Sequence, residues 1–164
     1  MGLYLVHIHR MLSGFIERSI MNIWEIKPHL FQSPQIDNPI VLGTHDITCV
    51  IDLSGLFDKK VDWWAALLTA TYLYWPIYDL TVMPNERVLW NVAGYAYRAW
   101  QSGDKVLVHC TMGHNRSGLM TGMILHLDGM KGVDAVKLIQ EKVPGALSNP
   151  VFRAYLEGLK GVHI

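Results

Sequence analysis

From Lys105 to Leu127 the chain reads KVLVHC, then TMGHNRSG, then LMTGMILHL. An apolar run of strand length ends in cysteine. A loop of glycine and small polar residues follows, and a helical stretch runs from Ser117 to Leu127. That order commits the region to a buried strand that turns directly into a helix. Other apolar runs repeat the theme. CVIDL (49–53) ends at a Ser-Gly turn, and YLYWPI (72–77) reads as a further buried strand. Ile23 to Ile26 and His29 to Phe31 read as short strands broken at Pro28. Helical signals extend from Pro84-Asn85 to Ser102-Gly103, over Val133 to Lys142 and over Pro150 to Leu159. Residues Trp63 to Thr71 fit a helix or a packed loop. Strands alternating with helices predict an α/β fold with a central, mostly parallel sheet flanked by helices.

The chain has 164 residues, 51% of them hydrophobic and 17% charged, which suits one domain with one core. We expect that domain over 22–164, with 1–21 as an N-terminal extension packed on it. In the extension Leu5, Ile8, Leu12, Phe15 and Ile20 recur near helical spacing. An amphipathic helix and an extension ahead of a start at Met21 both fit that stretch. The formal net charge is zero, so no strongly basic face is advertised and nucleic acid is an unlikely partner. No apolar run approaches the roughly 20 residues that cross a bilayer, and no membrane partner is expected. Arg10 lies on the wrong side of the opening apolar stretch for a secretory signal. Val6 stands where a myristoylation motif has Ser or Thr. Two cysteines, Cys49 and Cys110, cannot build a disulfide framework or a zinc site, and they fit a reducing, cytoplasmic setting. Neither a metal nor another cofactor is expected.

The loop after KVLVHC has the makings of an anion site. Ligands in α/β folds bind beyond the carboxyl ends of strands. A tight loop there turns backbone N–H groups inward, and the next helix adds its four unpaired N–H groups and the positive end of its dipole. Gly113 and Gly118 let the backbone bend and approach a ligand closely. Thr111, Met112, Gly113, His114, Asn115 and Arg116 would form this cradle, with Cys110 at its base. The same amides and Arg116 favour a thiolate, which can attack phosphorus and later leave it. Arg116 has the planar fork that matches two phosphoryl oxygens. Ser117 could hydrogen-bond the sulfur and make it a better leaving group. An isolated cysteine is more often a small buried hydrophobe. The joint pattern of His, Cys, Gly, Arg, Ser and Gly favours catalysis over that reading. It is not a Walker loop, because Gly-Lys-Ser/Thr is missing.

Thiolate attack needs a proton for the departing oxygen, and the group that supplies it can next activate water. Asp52, Asp58 and Asp79 lie near strand ends. Asp52 sits inside an apolar run, and Asp58 adjoins Lys59 and Lys60 as a solvated charge would. Asp79, in the loop WPIYDLTVMPN, is the expected acid, provided the strand before it brings the loop over the cradle. Its structural alternative is a turn-capping aspartate.

HCTMGHNRSG with an upstream loop aspartate resembles the dual-specificity branch of the cysteine-dependent (Cys-x5-Arg) protein tyrosine phosphatases. The resemblance extends from about Ile23 to Leu159. IKPHLFQSP is similar to that family's opening strand pair, CVIDL to its Val-Ile-Asn-Leu strand, and PGALSNPVFRAYL to its closing segment with Asn149 and Phe152. It implies a protein tyrosine phosphatase-like fold and a two-step phosphomonoester hydrolysis through a phospho-cysteine. Cys110 would be nucleophile, Arg116 the phosphate clamp, Asp79 acid then base, and Ser117 an aid to the second step. His109 would tune the loop from outside the pocket. Expected partners are a phosphorylated protein or another phosphomonoester, with phosphate, sulfate or vanadate as active-site ligands. Asn115 departs from the small residue that many relatives carry there. Gly-x-Asn-Arg is similar to RNA 5′-triphosphatases of the superfamily, which leaves RNA or a phosphoinositide as alternative substrates. A non-catalytic phosphoprotein-binding module is the alternative outside the enzymes. Cys49 begins its strand whereas Cys110 ends its own, so Cys49 is expected to be a core residue and no redox partner. Trp90 and Trp100 are expected to fill core, as are Trp63 and Trp64, while Trp75 and Tyr78 flank Asp79.

Overall fold

The computed structural model describes residues 23–36, 40–54 and 70–161. The expected extension over 1–21 and the stretch Trp63 to Thr69 lie outside the described residues. Five strands form one sheet: β1 (Trp24–Lys27), β2 (Leu30–Ser33), β3 (Cys49–Asp52), β4 (Thr71–Tyr74) and β5 (Val106–His109). Their order is β1-β2-β5-β3-β4, with β1 antiparallel to β2 and every other pair parallel. The helices are α1 (Ile40–Thr44), α2 (Glu86–Gln101), α3 (Asn115–Leu127), α4 (Gly132–Lys142) and α5 (Pro150–Glu157). The mostly parallel α/β sheet expected from the sequence is the one observed.

Alternation along the strands assigns the two faces of the sheet. Cys49 and Ile51 of β3, with Val106 and Val108 of β5, join the larger core under α2 to α5. Val50 and Leu107 point the other way, into a smaller cluster with Phe31, Leu42 and Ile47. Helix α1 supplies Leu42 to that cluster. Its five residues carry too little periodicity to be read from sequence. Helix α3 is buried from Ser117 through His126 and packs against α2, α4 and α5. An all-round apolar helix is what a central position requires. Trp90 and Trp100 are half-buried and pack on the larger core.

Two boundaries differ from expectation. β4 ends at Tyr74, short of the predicted Ile77. Pro76 has no N–H for a ladder, although Trp75 and Ile77 still donate to Asp52 and Leu53 carbonyls at 2.9 and 3.4 Å. α3 begins at Asn115, two residues before the predicted Ser117. The loop that follows Cys110 therefore merges into the helix without an intervening turn.

Register decides where a site can form. Ser33 lies level with His109, His109 with Asp52, and Asp52 with Tyr74. Four parallel strands thus end in one row, and Cys110 is the first residue past that row. Among the described residues no helix is long and apolar enough to cross a membrane.

Candidate active site

The Cys110 side chain is buried at the exit of β5. Its Sγ accepts the Gly113 N–H at 3.2 Å and lies 3.4 Å from the Ser117 hydroxyl. Gly113 makes this possible through a left-handed φ of 73°. A Cβ at that position would stand 2.5 Å from the Pro34 nitrogen and 2.6 Å from the Ser33 carbonyl carbon. The loop therefore lies directly on the chain leaving β2. Two hydrogen bonds secure that contact: Gln32 Nε2 donates to the Gly113 carbonyl at 2.8 Å, and Gln35 N–H donates to the Thr111 carbonyl at 3.2 Å. The His114 side chain makes no capping hydrogen bond to α3 among the described residues, so the positive end of the helix dipole opens into the loop.

Arg116 reaches sideways across the strand ends. Its Nη1 donates to the Ile77 and Leu53 carbonyls at 3.2 and 3.4 Å, and its buried Nε has no partner among the described residues. A guanidinium steered at one nitrogen retains donors for a bidentate anion. Met112 stands at the rim and is 65% exposed. The His114 ring tilts toward Trp24, with centroids 6.2 Å apart.

Behind the loop lies a buried polar group. His109 Nε2 is 3.7 Å from Asp52 Oδ1. The same oxygen accepts the Ser54 N–H and hydroxyl at 2.8 and 2.7 Å, and Tyr72 donates its hydroxyl to the other carboxyl oxygen. Burial pushes the His109 imidazole below its ordinary range, while Asp52 pulls the other way. Asp52 is thus enclosed with partners of its own, which separates it from the strand-end aspartate that faces solvent.

That solvent-facing residue is Asp79. β4 does not adjoin β5, because β3 lies between them. The loop after β4 is nevertheless drawn to the loop 111–116 by side chains. Asn115 Nδ2 donates to Asp79 Oδ2 at 2.9 Å, and Asn149 Nδ2 donates to Asp79 Oδ1 at 2.7 Å and to the Leu80 carbonyl at 3.0 Å. Asn149 also caps α5, accepting the Val151 and Phe152 N–H groups at 3.0 and 3.3 Å. A separate cavity of about 270 Å³ lies along the outer side of this loop, among Trp75, Tyr78, Leu80 and Met83, and no residue of the phosphate loop lines it.

The structure thus gathers Cys110, Arg116, Ser117, the loop 111–116 and Asp79 around one strand-end row. Sequence reading missed Gln32 and the contact of Asn149 with Asp79. A glutamine inside the apolar run HLFQS was a signal for the first. An asparagine before proline signals a helix cap, and nothing local signals that its amide also reaches Asp79.

No family model matches the sequence, and no curated protein does. Solved structures do match. Human DUSP28 superposes with a TM-score of 0.71 at 19% identity, covering 82% of this chain and 92% of that one. DUSP15 gives 0.70 at 25% identity, covering 82% and 85%. The human tyrosine phosphatase-like serine/threonine/tyrosine-interacting protein gives 0.65 at 27% identity, covering 82% and 93%. The chain shares the fold of these dual-specificity and tyrosine phosphatase-like structures, and its Cys110-x5-Arg116 spacing lies at the exit of the corresponding central strand.

Proposed function

We propose that the protein is a cysteine-dependent phosphatase acting on phosphorylated proteins, on phosphotyrosine and on phosphoserine or phosphothreonine. The observation that carries this reading is the Cys110 sulfur held between the Gly113 N–H and the Ser117 hydroxyl, at the open end of α3. In the first step the Cys110 thiolate attacks phosphorus, the bond to the leaving oxygen breaks, and Asp79 gives that oxygen a proton. Arg116 and the amides of 111–116 bind the non-bridging oxygens. In the second step water attacks the phospho-cysteine, Asp79 takes its proton, and the P–S bond breaks to return the thiolate. Ser117, already within reach of Sγ, stabilises the departing sulfur. His109 supports the loop from behind. The exposed apolar side chains Tyr78, Leu80 and Val82, on the same loop as Asp79, suit a protein surface better than a polyanion.

Asn115, the residue that raised RNA 5′-triphosphates as a substrate, has both ends of its amide engaged within the protein. It therefore lends no special support to RNA. Turnover of phosphotyrosyl and phosphoseryl peptides, compared with triphosphorylated RNA and inositol phospholipids, tests the substrate class. Preference for either of the latter two overturns it. A protein that binds phosphopeptides with no turnover in any assay would be the non-catalytic module, a reading favoured by one neighbour being named a phosphatase-like interacting protein.

A further inference from the structure

The segment from Trp75 to Asn85 contains no helix or strand, and Tyr78, Leu80 and Val82 within it are 74%, 54% and 65% exposed. Ile77 and Met83 anchor the segment on the core, but the exposed stretch between them does not hold a carboxyl group in place by itself. Asp79 is held by others. Both of its oxygens accept an amide N–H, one from Asn115 and one from Asn149. Asn115 is held in turn: its Oδ1 accepts the Ser148 hydroxyl at 3.1 Å and the Asn149 N–H at 3.0 Å. Two donors on Oδ1 leave only one sense for this carboxamide, with Nδ2 facing Asp79. The result is a closed ring of Asp79, Asn115 and Asn149. It joins the acid loop, the first residue of α3 and the cap of α5.

We infer that Asn115 is a positioning residue for the general acid, clamping Asp79 to the phosphate loop. The inference rests on the proposed phosphatase reading. Asn115 and Arg116 are consecutive, and both reach the loop after β4, Arg116 through the Ile77 carbonyl. One turn of α3 therefore places the phosphate clamp and the acid together. A small residue at 115 could form only the Arg116 half of that link. To protonate a leaving oxygen, Asp79 exchanges one amide contact for the substrate.

The test is the leaving-group dependence of Asn115→Ala and of the isosteric Asn115→Asp, which sets a second carboxyl against Asp79. Each should slow alkyl phosphates such as phosphoserine by about 10- to 100-fold, the range of a hydrogen bond to a charged group. Aryl phosphates with activated leaving groups, which scarcely need the acid, should slow by no more than about 3-fold on the same reasoning. In an Asp79→Asn background, Asn115→Ala should add no further loss on alkyl phosphates. Equal slowing of all leaving groups, or full additivity with Asp79→Asn, overturns the inference and makes Asn115 a scaffold of the phosphate loop. Absence of turnover in the wild-type protein is a failure of the phosphatase reading instead. The clamp is then read by amide hydrogen exchange. Backbone N–H groups of 78–82 should exchange about 10-fold faster in Asn115→Ala, as loss of one anchoring hydrogen bond allows. Unchanged exchange refutes it.

Discussion

Cys49 and Cys110 are equally buried, each 1% exposed, and stand at opposite ends of neighbouring parallel strands. Cys49 pairs with Val106, four residues before Cys110, so about 13 Å of strand separates the two levels at 3.3 Å per residue. That is beyond disulfide reach, and both thiols are free. Around Cys49 burial and the nearby Asp104 push the thiol up to about 12. Around Cys110 the chain supplies an inward N–H, a hydroxyl and the start of a helix. Burial by itself makes a cysteine inert. Which end of a parallel strand it occupies decides whether backbone donors meet it there.

The strongest way to break this contrast is to exchange the two roles. Cys110→Ser should lower kcat/KM by at least about 10⁴-fold, as loss of a nucleophile does elsewhere. Cys49→Ser should leave it within about 3-fold, since the hydroxyl meets no reacting group. Comparable losses at both positions would end the distinction. In the native wild-type protein at pH 8, an alkylating agent should label Cys110, with protection by vanadate, and spare Cys49. Peptide mapping reads both.

Next in size is Arg116→Lys. A point charge cannot reproduce the fork, and turnover should fall by about 10² to 10³. Vanadate protection of Cys110 should weaken with it, while Cys49 stays silent. A variant with wild-type protection would show that the amides alone hold the anion.

Gly113→Ala sharpens the comparison structurally. It forces a left-handed residue and presses a Cβ onto the Ser33–Pro34 backbone. A cost of about 2–4 kcal/mol in denaturant unfolding is expected from those two effects together. A neutral result would mean that the loop does not rest on β2.

The smallest effect is a pH dependence of stability from His109. Its imidazole is held below the ordinary value, so between pH about 6.5 and the lower folded value the unfolded chain binds more protons. Stability from this group is present above about pH 6.5 and is lost as pH falls, at no more than about 1.4 kcal/mol per pH unit. His109→Gln should flatten that slope in urea titrations at pH 5 to 7. An unchanged slope would assign it to other groups.

Much of this was legible in the chain. KVLVHC is strand-like and HNRSGLM leads into a helix. Cys110, Arg116 and Ser117 come together because only six and seven positions separate the cysteine from the other two, across one tight strand-to-helix connection. The placement of Cys49 followed from its position at the head of CVIDL. What was not legible involved partners distant in sequence. Asp79 was expected from a strand beside β5, yet β3 intervenes and side chains of 115, 116 and 149 close the gap instead. Asp52, set aside from sequence because it lies inside an apolar run, gains partners in Tyr72 and His109 that only the fold brings to it.

Spacing along a few covalently linked residues is enough to give the strand–loop–helix connection after KVLVHC and the alternation of strands and helices. Only the tertiary structure decided the order of the strands, the seat of Gly113 on β2 and the ring of Asp79, Asn115 and Asn149. The last two rest on contacts between residues 34 to 81 positions apart, and such contacts exist only once the cores on both faces of the sheet have packed.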